Sequence, residues 1–154
     1  KTASLFSASC EIGAITANAN AQQQKAMAIF GEKLGISFQI RDDLFDIMGT
    51  VDAIGKPIGF DVKKNMLTLP LIHMFERVGD NKKKTLQRKL KKHASRKDIR
   101  AIGKLIETHG GIKYATEQME RISQEAMDEL NIFSDSEYKE ALRTAVKFNL
   151  GRKT

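Results

Sequence analysis

Residues 21–47 read AQQQKAMAIFGEKLGISFQIRDDLFDI. Their apolar side chains recur every three or four positions on two faces, at positions 27, 30, 34 and 38 and at positions 36, 40, 44 and 47. This spacing predicts a long α-helix from about Ala21 to Ile47, ended by Gly49. Because two of its faces are apolar, we expect the helix to be mostly buried.

The rest of the chain favours the same secondary structure. The 154 residues include only two prolines and no tryptophan, and good helix formers dominate. We therefore predict an all-α fold and a single helical region over residues 1–154. Turn residues divide the remainder into further helices: residues 2–19, about 68–78, 82–92, a helix capped by Asp98 and ended at Gly110, 112–130, and a last one capped by Ser134 or Ser136 and ended near Gly151. The many small residues of the first helix predict close helix–helix packing.

Three aspartates lie near the end of the long helix. At about 100° per residue, Asp42, Asp43 and Asp46 fall with Gln39 in one arc of roughly 100°, and Arg41 points to the opposite side. Carboxylates at i,i+4 repel each other, so an apolar helix that carries them needs a compensating cation. Oxygen ligands without histidine or cysteine suit Mg²⁺. An exposed acidic helix face without a metal is the alternative.

The segment after these aspartates adds a cation. Lys56 stands between Gly55 and Gly59, and glycines allow a backbone to approach a ligand closely. An ammonium group suits a phosphate oxygen. An ordinary turn has the same composition, but directly after three aspartates the segment indicates the second side of a metal–diphosphate site.

The composition limits other functions. The net charge is +7, and much of it comes from the stretch 82–100, which lacks aromatic residues and any nucleic-acid motif. We interpret that stretch as a solvated helical face, which argues against a nucleic-acid partner. The chain has no apolar run long enough for a transmembrane segment. Its one cysteine, Cys10, is interpreted as a small buried side chain, which fits a cytoplasmic location. The chain starts without methionine, and we expect it to be part of a longer protein.

Three motifs together resemble the trans-isoprenyl diphosphate synthases, also called the polyprenyl synthetase family. The second aspartate-rich motif of that family looks like Phe38-Gln39-Ile40-Arg41-Asp42-Asp43-Leu44-Phe45-Asp46. Its later elements look like Gly55-Lys56, Gly59-Phe60-Asp61 and Thr68-Leu69-Pro70, and its Lys-Thr pair looks like Lys1-Thr2. The resemblance covers residues 1–70 in order and spacing.

The resemblance implies an isoprenoid-synthase-type helical bundle and a Mg²⁺-dependent prenyltransferase. Such an enzyme condenses an allylic prenyl diphosphate with isopentenyl diphosphate, and it is commonly a homodimer. By carry-over, Asp42, Asp43 and Asp46 bind the metal, and Lys1 and Lys56 contact the diphosphate. Thr2, Phe38 and Gln39 line the space between the two substrates, with Lys1, Lys56 and Gln39 in catalytic roles, and Asp61 supports the metal ligands from behind.

Two departures from the family pattern leave alternatives open. Met66 stands where the family usually has a lysine, and no first aspartate-rich motif occurs. The chain therefore looks like the C-terminal half of a synthase, inactive by itself, with a lean to the long-chain, octaprenyl-type enzymes that make quinone side chains. A non-catalytic partner subunit of a heteromeric synthase and a class I terpene cyclase are the other readings.

Overall fold

The structure is a computed structural model that describes residues 1–52, 67–91 and 95–152. These residues form seven α-helices and one 3₁₀ turn, without a β-strand among them, which confirms the all-α prediction. The elements are α1 (Thr2–Thr16), α2 (Ala21–Asp52), α3 (Leu69–Arg77), α4 (Asp80–Lys91), α5 (Arg96–Thr108), α6 (Gly111–Glu129), the 3₁₀ turn Leu130–Ile132, and α7 (Glu137–Gly151). None of the described helices is long and apolar enough to cross a membrane.

Two predicted helix ends were wrong. Helix α2 continues to Asp52, so Gly49 does not end it. A glycine inside a helix costs only about 1 kcal/mol, and Ile47, which is buried in a core cluster, holds this part of α2 by packing. Helix α1 ends at Thr16 rather than at residue 19, and Asn18 follows in the left-handed region with φ 54°. Asparagine tolerates that conformation better than most residues, which favours ending the helix just before Asn18.

Two predicted helix starts also change. Asp98 does not cap α5, because Ser95 is the N-cap and accepts a hydrogen bond from the backbone N–H of Asp98. The Asp98 carboxylate in turn accepts from the backbone N–H of Ser95 and from Lys89 Nζ at 2.7 Å. The hydrogen bond from Lys89, together with those from Ser95, lowers the pKa of Asp98 to about 2. Asp80, which lies between two predicted helices, is the first residue of α4. The positive end of the helix dipole stabilises its carboxylate there. For α7 the prediction was right, since Ser136 is its cap.

The described chain groups into two compact units, and the first contains residues 1–41 and 118–153. Within it, α1 crosses α2 at two glycines spaced four residues apart, Gly31 and Gly35. A Cβ placed on Gly31 would collide with the backbone carbonyl of Phe6, and one on Gly35 would lie 2.6 Å from Ala3 Cα. The Ser7 hydroxyl donates to the Ala28 carbonyl oxygen at 2.9 Å across the same contact. The predicted close packing of the first helix is therefore confirmed.

A hydrophobic core holds this first unit together. Phe30 and Leu34 of α2 pack with side chains of α6 and α7 and the turn between them, and Phe30 is fully buried. The core cluster consists of Phe30, Leu34, Ala126, Leu130 and Val146. Cys10 packs against it, and its burial raises the pKa of the thiol. Cys10 was predicted to be a small buried side chain, and the structure shows it partly buried against this core.

The second unit contains residues 42–117. Its core is built from apolar residues of the end of α2 and of α3, α4 and α5, including Ile47, Leu71, Met74, Leu90 and Ile102. His73 of α3 is buried at the edge of this unit, where its ring stacks on Tyr114 with the ring centroids 4.1 Å apart. Arg77 Nη1 lies 3.1 Å from His73 Nδ1. Because a guanidinium can only donate, Nδ1 accepts this hydrogen bond and the imidazole is neutral in this arrangement.

We expect Gly35→Ala to lower the free energy of unfolding by roughly 1–3 kcal/mol, because the new methyl group would overlap backbone atoms of α1 that cannot move aside alone. The matched control is Gly13→Ala, which places the same methyl group on a helix where no atom lies within 4 Å. That control should raise the stability by about 1 kcal/mol through helix propensity. Urea unfolding measures both, and a stabilising Gly35→Ala would contradict the close approach.

We expect the chain to lose stability on acidification through His73. Burial, and after it the Arg77 guanidinium, hold the pKa of His73 below its ordinary value of 6.5. The unfolded chain therefore takes up this proton first as the pH falls below 6.5, so stability is complete above that pH and declines beneath it. Thermal unfolding across this range should show a smaller decline in His73→Gln than in the unchanged chain or in the control His109→Gln. Identical pH dependence in all three would contradict this assignment.

Candidate functional site

The orientation of the carboxylates of α2 follows from the buried face of that helix. Leu44 and Ile47 are each only 1% exposed and fix the rotation of the helix. At about 100° per residue, Asp42 and Asp46 then lie on the side away from those two residues, and Asp43 lies at the edge. All three aspartates are half-buried. The predicted burial is confirmed at positions 44 and 47, whereas Ile36 of the same predicted face is 37% exposed.

These aspartates share one helix and adjacent turns, but they do not form a closed metal cage. Among the described residues, no three carboxylate, histidine or cysteine side chains converge as a complete ligand set. Mg²⁺ does not need such a cage, because it keeps several waters and is commonly held by one or two carboxylates together with phosphate oxygens. The donor set of Asp42, Asp43 and Asp46 therefore fits Mg²⁺ bound together with a phosphorylated ligand.

The predicted substrate-lining residues of the first unit come together. The Thr2 hydroxyl donates to Gln39 Oε1 at 3.2 Å, so the starts of two motifs 37 positions apart are in direct contact. The Phe38 ring, next to Gln39, packs against Phe6 with the centroids 5.8 Å apart. Lys1, the residue before α1, is exposed. The close crossing of α1 and α2 thus brings the start of α1 to the turn of α2 that carries Phe38 and Gln39.

Sequence reasoning missed several contacts around this turn. The Ser37 and Ser123 hydroxyls lie 2.7 Å apart, and Asn149 Nδ2 donates to Ser37 Oγ at 3.0 Å. The sequence does carry a signal for the serine pair, because Ser123 occupies an apolar-face position of α6 between Met119 and Ala126. A serine at a core position requires a hydrogen-bond partner.

Sequence reasoning also missed the contacts that Arg41 of α2 makes with the end of the chain and that Arg152 makes with Phe38. The Arg41 guanidinium donates to the Leu150 carbonyl oxygen at 2.5 Å and to that of Arg152. The Arg152 guanidinium carbon lies 5.0 Å from the centroid of the Phe38 ring. The sequence contains no signal for these contacts, since they join residues more than a hundred positions apart.

Part of the predicted site lies outside the described residues. This applies to Lys56 and Asp61, to the glycines around Lys56, and to Met66. Thr68, which starts the Thr-Leu-Pro motif, is described and precedes α3, with Pro70 in the first helical turn as predicted. The roles given to Lys56 and Asp61 therefore stay predictions.

The basic stretch is solvated where the structure describes it. In α4, Leu86 and Leu90 are buried, whereas Lys82, Lys84 and Arg88 are exposed. This is the arrangement expected of an amphipathic surface helix.

Comparisons with known proteins agree with the motifs. Residues 1–106 match the family model described as Polyprenyl synthetase. Octaprenyl diphosphate synthase of Haemophilus influenzae is 30% identical over 152 residues, which cover 99% of this chain and 46% of that protein. The chain thus spans about half the length of the curated relatives that it matches.

Solved structures give the same fold. The geranylgeranyl pyrophosphate synthase of Bacteroides thetaiotaomicron superposes with a TM-score of 0.89 and 32% identity, over 99% of this chain and 50% of that one. A polyprenyl synthase of Caulobacter crescentus, solved in complex with calcium and isoprenyl diphosphate, superposes with a TM-score of 0.87 and 28% identity, over 100% of this chain and 47% of that one.

Proposed function

The chain belongs to the polyprenyl synthetase family, and from this premise we propose that it forms the metal-binding half of a trans-prenyltransferase. The reaction would condense an allylic prenyl diphosphate with isopentenyl diphosphate to give a longer polyprenyl diphosphate. The observation that carries the proposal is the hydrogen bond from Thr2 to Gln39, because it joins the Lys-Thr motif to the aspartate-rich motif in space. Two motifs that serve one substrate must meet in this way.

The proposed roles follow from side-chain chemistry. Asp42, Asp43 and Asp46 would hold Mg²⁺, and the bound metal would stabilise negative charge on a departing diphosphate. The calcium and isoprenyl diphosphate of the Caulobacter structure support a divalent metal at such a site. The metal ligands would also be supported by Asp61.

Cations and packing would supply the rest of the site. The Lys1 and Lys56 ammonium groups would bind diphosphate oxygens as point charges. Gln39, oriented by the Thr2 hydroxyl, would hydrogen-bond between the two substrates. The Phe38 ring, packed on Phe6, would exclude water from the reacting carbon.

The product length is a finer proposal. We favour a long, octaprenyl-type product for quinone side chains, which the likeness to the Haemophilus enzyme supports. The similar Bacteroides enzyme is named for a geranylgeranyl product, so the family likeness alone does not select a length. We further propose a homodimer in the cytoplasm. The family match favours a prenyltransferase over a terpene cyclase.

We expect Asp42→Asn to weaken Mg²⁺-dependent binding of inorganic pyrophosphate at least tenfold, which corresponds to about 1.4 kcal/mol. The amide keeps the size of the carboxylate and removes the charge that holds the metal. Isothermal titration calorimetry with and without Mg²⁺ measures this. The matched control is Asp128→Asn, which changes an exposed carboxylate of α6 that accepts a hydrogen bond from Gln124. Equal losses in the two variants, or binding that ignores Mg²⁺, would contradict the metal site.

We expect the 154-residue chain alone to show no condensation of farnesyl diphosphate with radiolabelled isopentenyl diphosphate. The physical reason is that one aspartate-rich helix can supply ligands on only one side of a metal–diphosphate cluster. Adding the separately produced first half of a related synthase should restore product, and the same mixture with Asp42→Asn should not. Robust turnover by the chain alone would contradict the half-site. A mixture that is as active with Asp42→Asn would favour a non-catalytic partner subunit.

A further inference from the structure

The turn of α2 formed by residues 37–41 receives contacts from three other helices. Helix α1 contributes Thr2 and Phe6, as described above, and α6 contributes Ser123. The remaining contacts come from the C-terminal end of α7 and from Arg152, which follows it. Consecutive residues of one turn therefore have their side chains fixed from different directions.

The buried contact with α7 is made by Asn149. Asn149 is 3% exposed, and Ser37 and Ser123 are fully buried. Its Nδ2 donates to Ser37 Oγ, whereas its Oδ1 is buried with no hydrogen-bond partner among the described residues. A buried amide oxygen without a partner destabilises a fold. An asparagine at this position is thus better explained by what it holds than by stability.

The second contact uses the end of the α7 backbone. The last carbonyl groups of a helix have no partner within the helix, and the negative end of its dipole favours a cation there. Arg41 provides both the hydrogen-bond donor and the cation, because one guanidinium nitrogen donates to the carbonyl oxygens of Leu150 and Arg152. This arrangement ties α7 to the residue that directly follows Ile40 and precedes the aspartates.

The third contact joins the side chain of Arg152, which follows α7, to the ring of Phe38. The backbone of Arg152 accepts from Arg41, and its side chain places the guanidinium over the Phe38 ring. A cation over an aromatic face is attracted by the ring quadrupole. Arg41 therefore also fixes the residue whose side chain covers Phe38.

We propose that the C-terminal end of α7 is a positioning element for the prenyl diphosphate, which acts through Arg41 and Arg152 on Phe38 and Gln39. The inference rests on the proposed function, since it assigns Phe38 and Gln39 to the substrate. It adds Arg41 as a positioning residue, which touches no substrate itself and holds the turn that does. Its selectivity is for the prenyl part of the ligand, because the side chain that the Arg152 guanidinium covers is the apolar ring of Phe38.

The test compares two ligands and two arginines of the full chain. Calorimetric titration with Mg²⁺ should show Arg41→Gln binding farnesyl diphosphate roughly three- to tenfold more weakly, because a less ordered turn must be fixed on binding. Inorganic pyrophosphate should bind with nearly unchanged affinity. The matched control is Arg143→Gln, which removes an arginine of α7 that donates to Glu140 and Asn131, and it should affect neither ligand. Arg41→Lys, which retains one cation but loses the planar fork, should fall between Arg41→Gln and the unchanged chain.

A double-mutant cycle separates positioning from a direct charge effect. A chain that ends at Asn149 with an amidated C-terminus lacks the acceptor carbonyls, gains no terminal carboxylate and keeps Arg41, so adding Arg41→Gln to it should have little further effect on farnesyl diphosphate binding. Hydrogen exchange of the backbone amides of residues 37–41 should be faster in Arg41→Gln than in Arg143→Gln, with or without ligand.

Each of three binding results would overturn the positioning role. They are unchanged farnesyl diphosphate affinity in Arg41→Gln, an equal loss for both ligands, and additive effects in the shortened chain. If the unchanged chain binds neither ligand with Mg²⁺, the proposed function fails and this inference fails with it. If binding is normal but exchange at residues 37–41 is unaltered, only the positioning role is lost.

Discussion

The close approach of α1 to α2 is the constraint on which the first unit depends. Gly31 and Gly35 leave no side chain between the helices, so backbone atoms of α1 lie directly on α2. Any larger residue would push the helices apart, and the 3.2 Å hydrogen bond between Thr2 and Gln39 tolerates no such shift. A packing requirement at the middle of the crossing thereby sets a polar contact at its end. The hydroxyl and amide are placed by glycines that carry no chemistry of their own.

The polar groups at the two ends of α7 differ in what they contribute to stability. Lys139 is buried, and its ammonium donates to the Phe133 carbonyl and to Asp135, so its charge is fully engaged in holding the start of α7. At the opposite end of α7, Asn149 leaves an amide oxygen without a partner among the described residues. The buried polar side chain at the start of α7 has its hydrogen-bond partners, whereas the one at its end lacks one. This pattern is expected where a side chain serves to position a neighbour rather than to stabilise the fold.

The sequence predicted what repeats locally and missed what depends on distant partners. The 3.6-residue period of α2, the small residues of α1 and the serine cap of α7 are visible within a few positions, and the structure has all three. Gly49 led to a wrong helix end, because a glycine lowers the stability of a helix only slightly and the packing of Ile47 outweighs that loss. The capping box was missed because Asp98 was taken alone, without Ser95 three residues earlier. The contacts of Arg41 could not be predicted, since carbonyl acceptors at a helix end leave no mark in the sequence.

The two halves of the proposed site differ in when they become complete. The turn of Phe38 and Gln39 is already held by neighbouring helices before any ligand arrives. The proposed carboxylate ligands of α2, by contrast, would offer Mg²⁺ only part of a ligand set, and phosphate oxygens would be its natural remaining ligands. Metal and diphosphate should therefore each raise the affinity for the other by the same factor, as linkage requires. Such an order of events would suit the proposed reaction, in which a diphosphate must leave while water is kept out. The contacts of α7 with residues 37–41 would order that turn before the metal and the diphosphate bind.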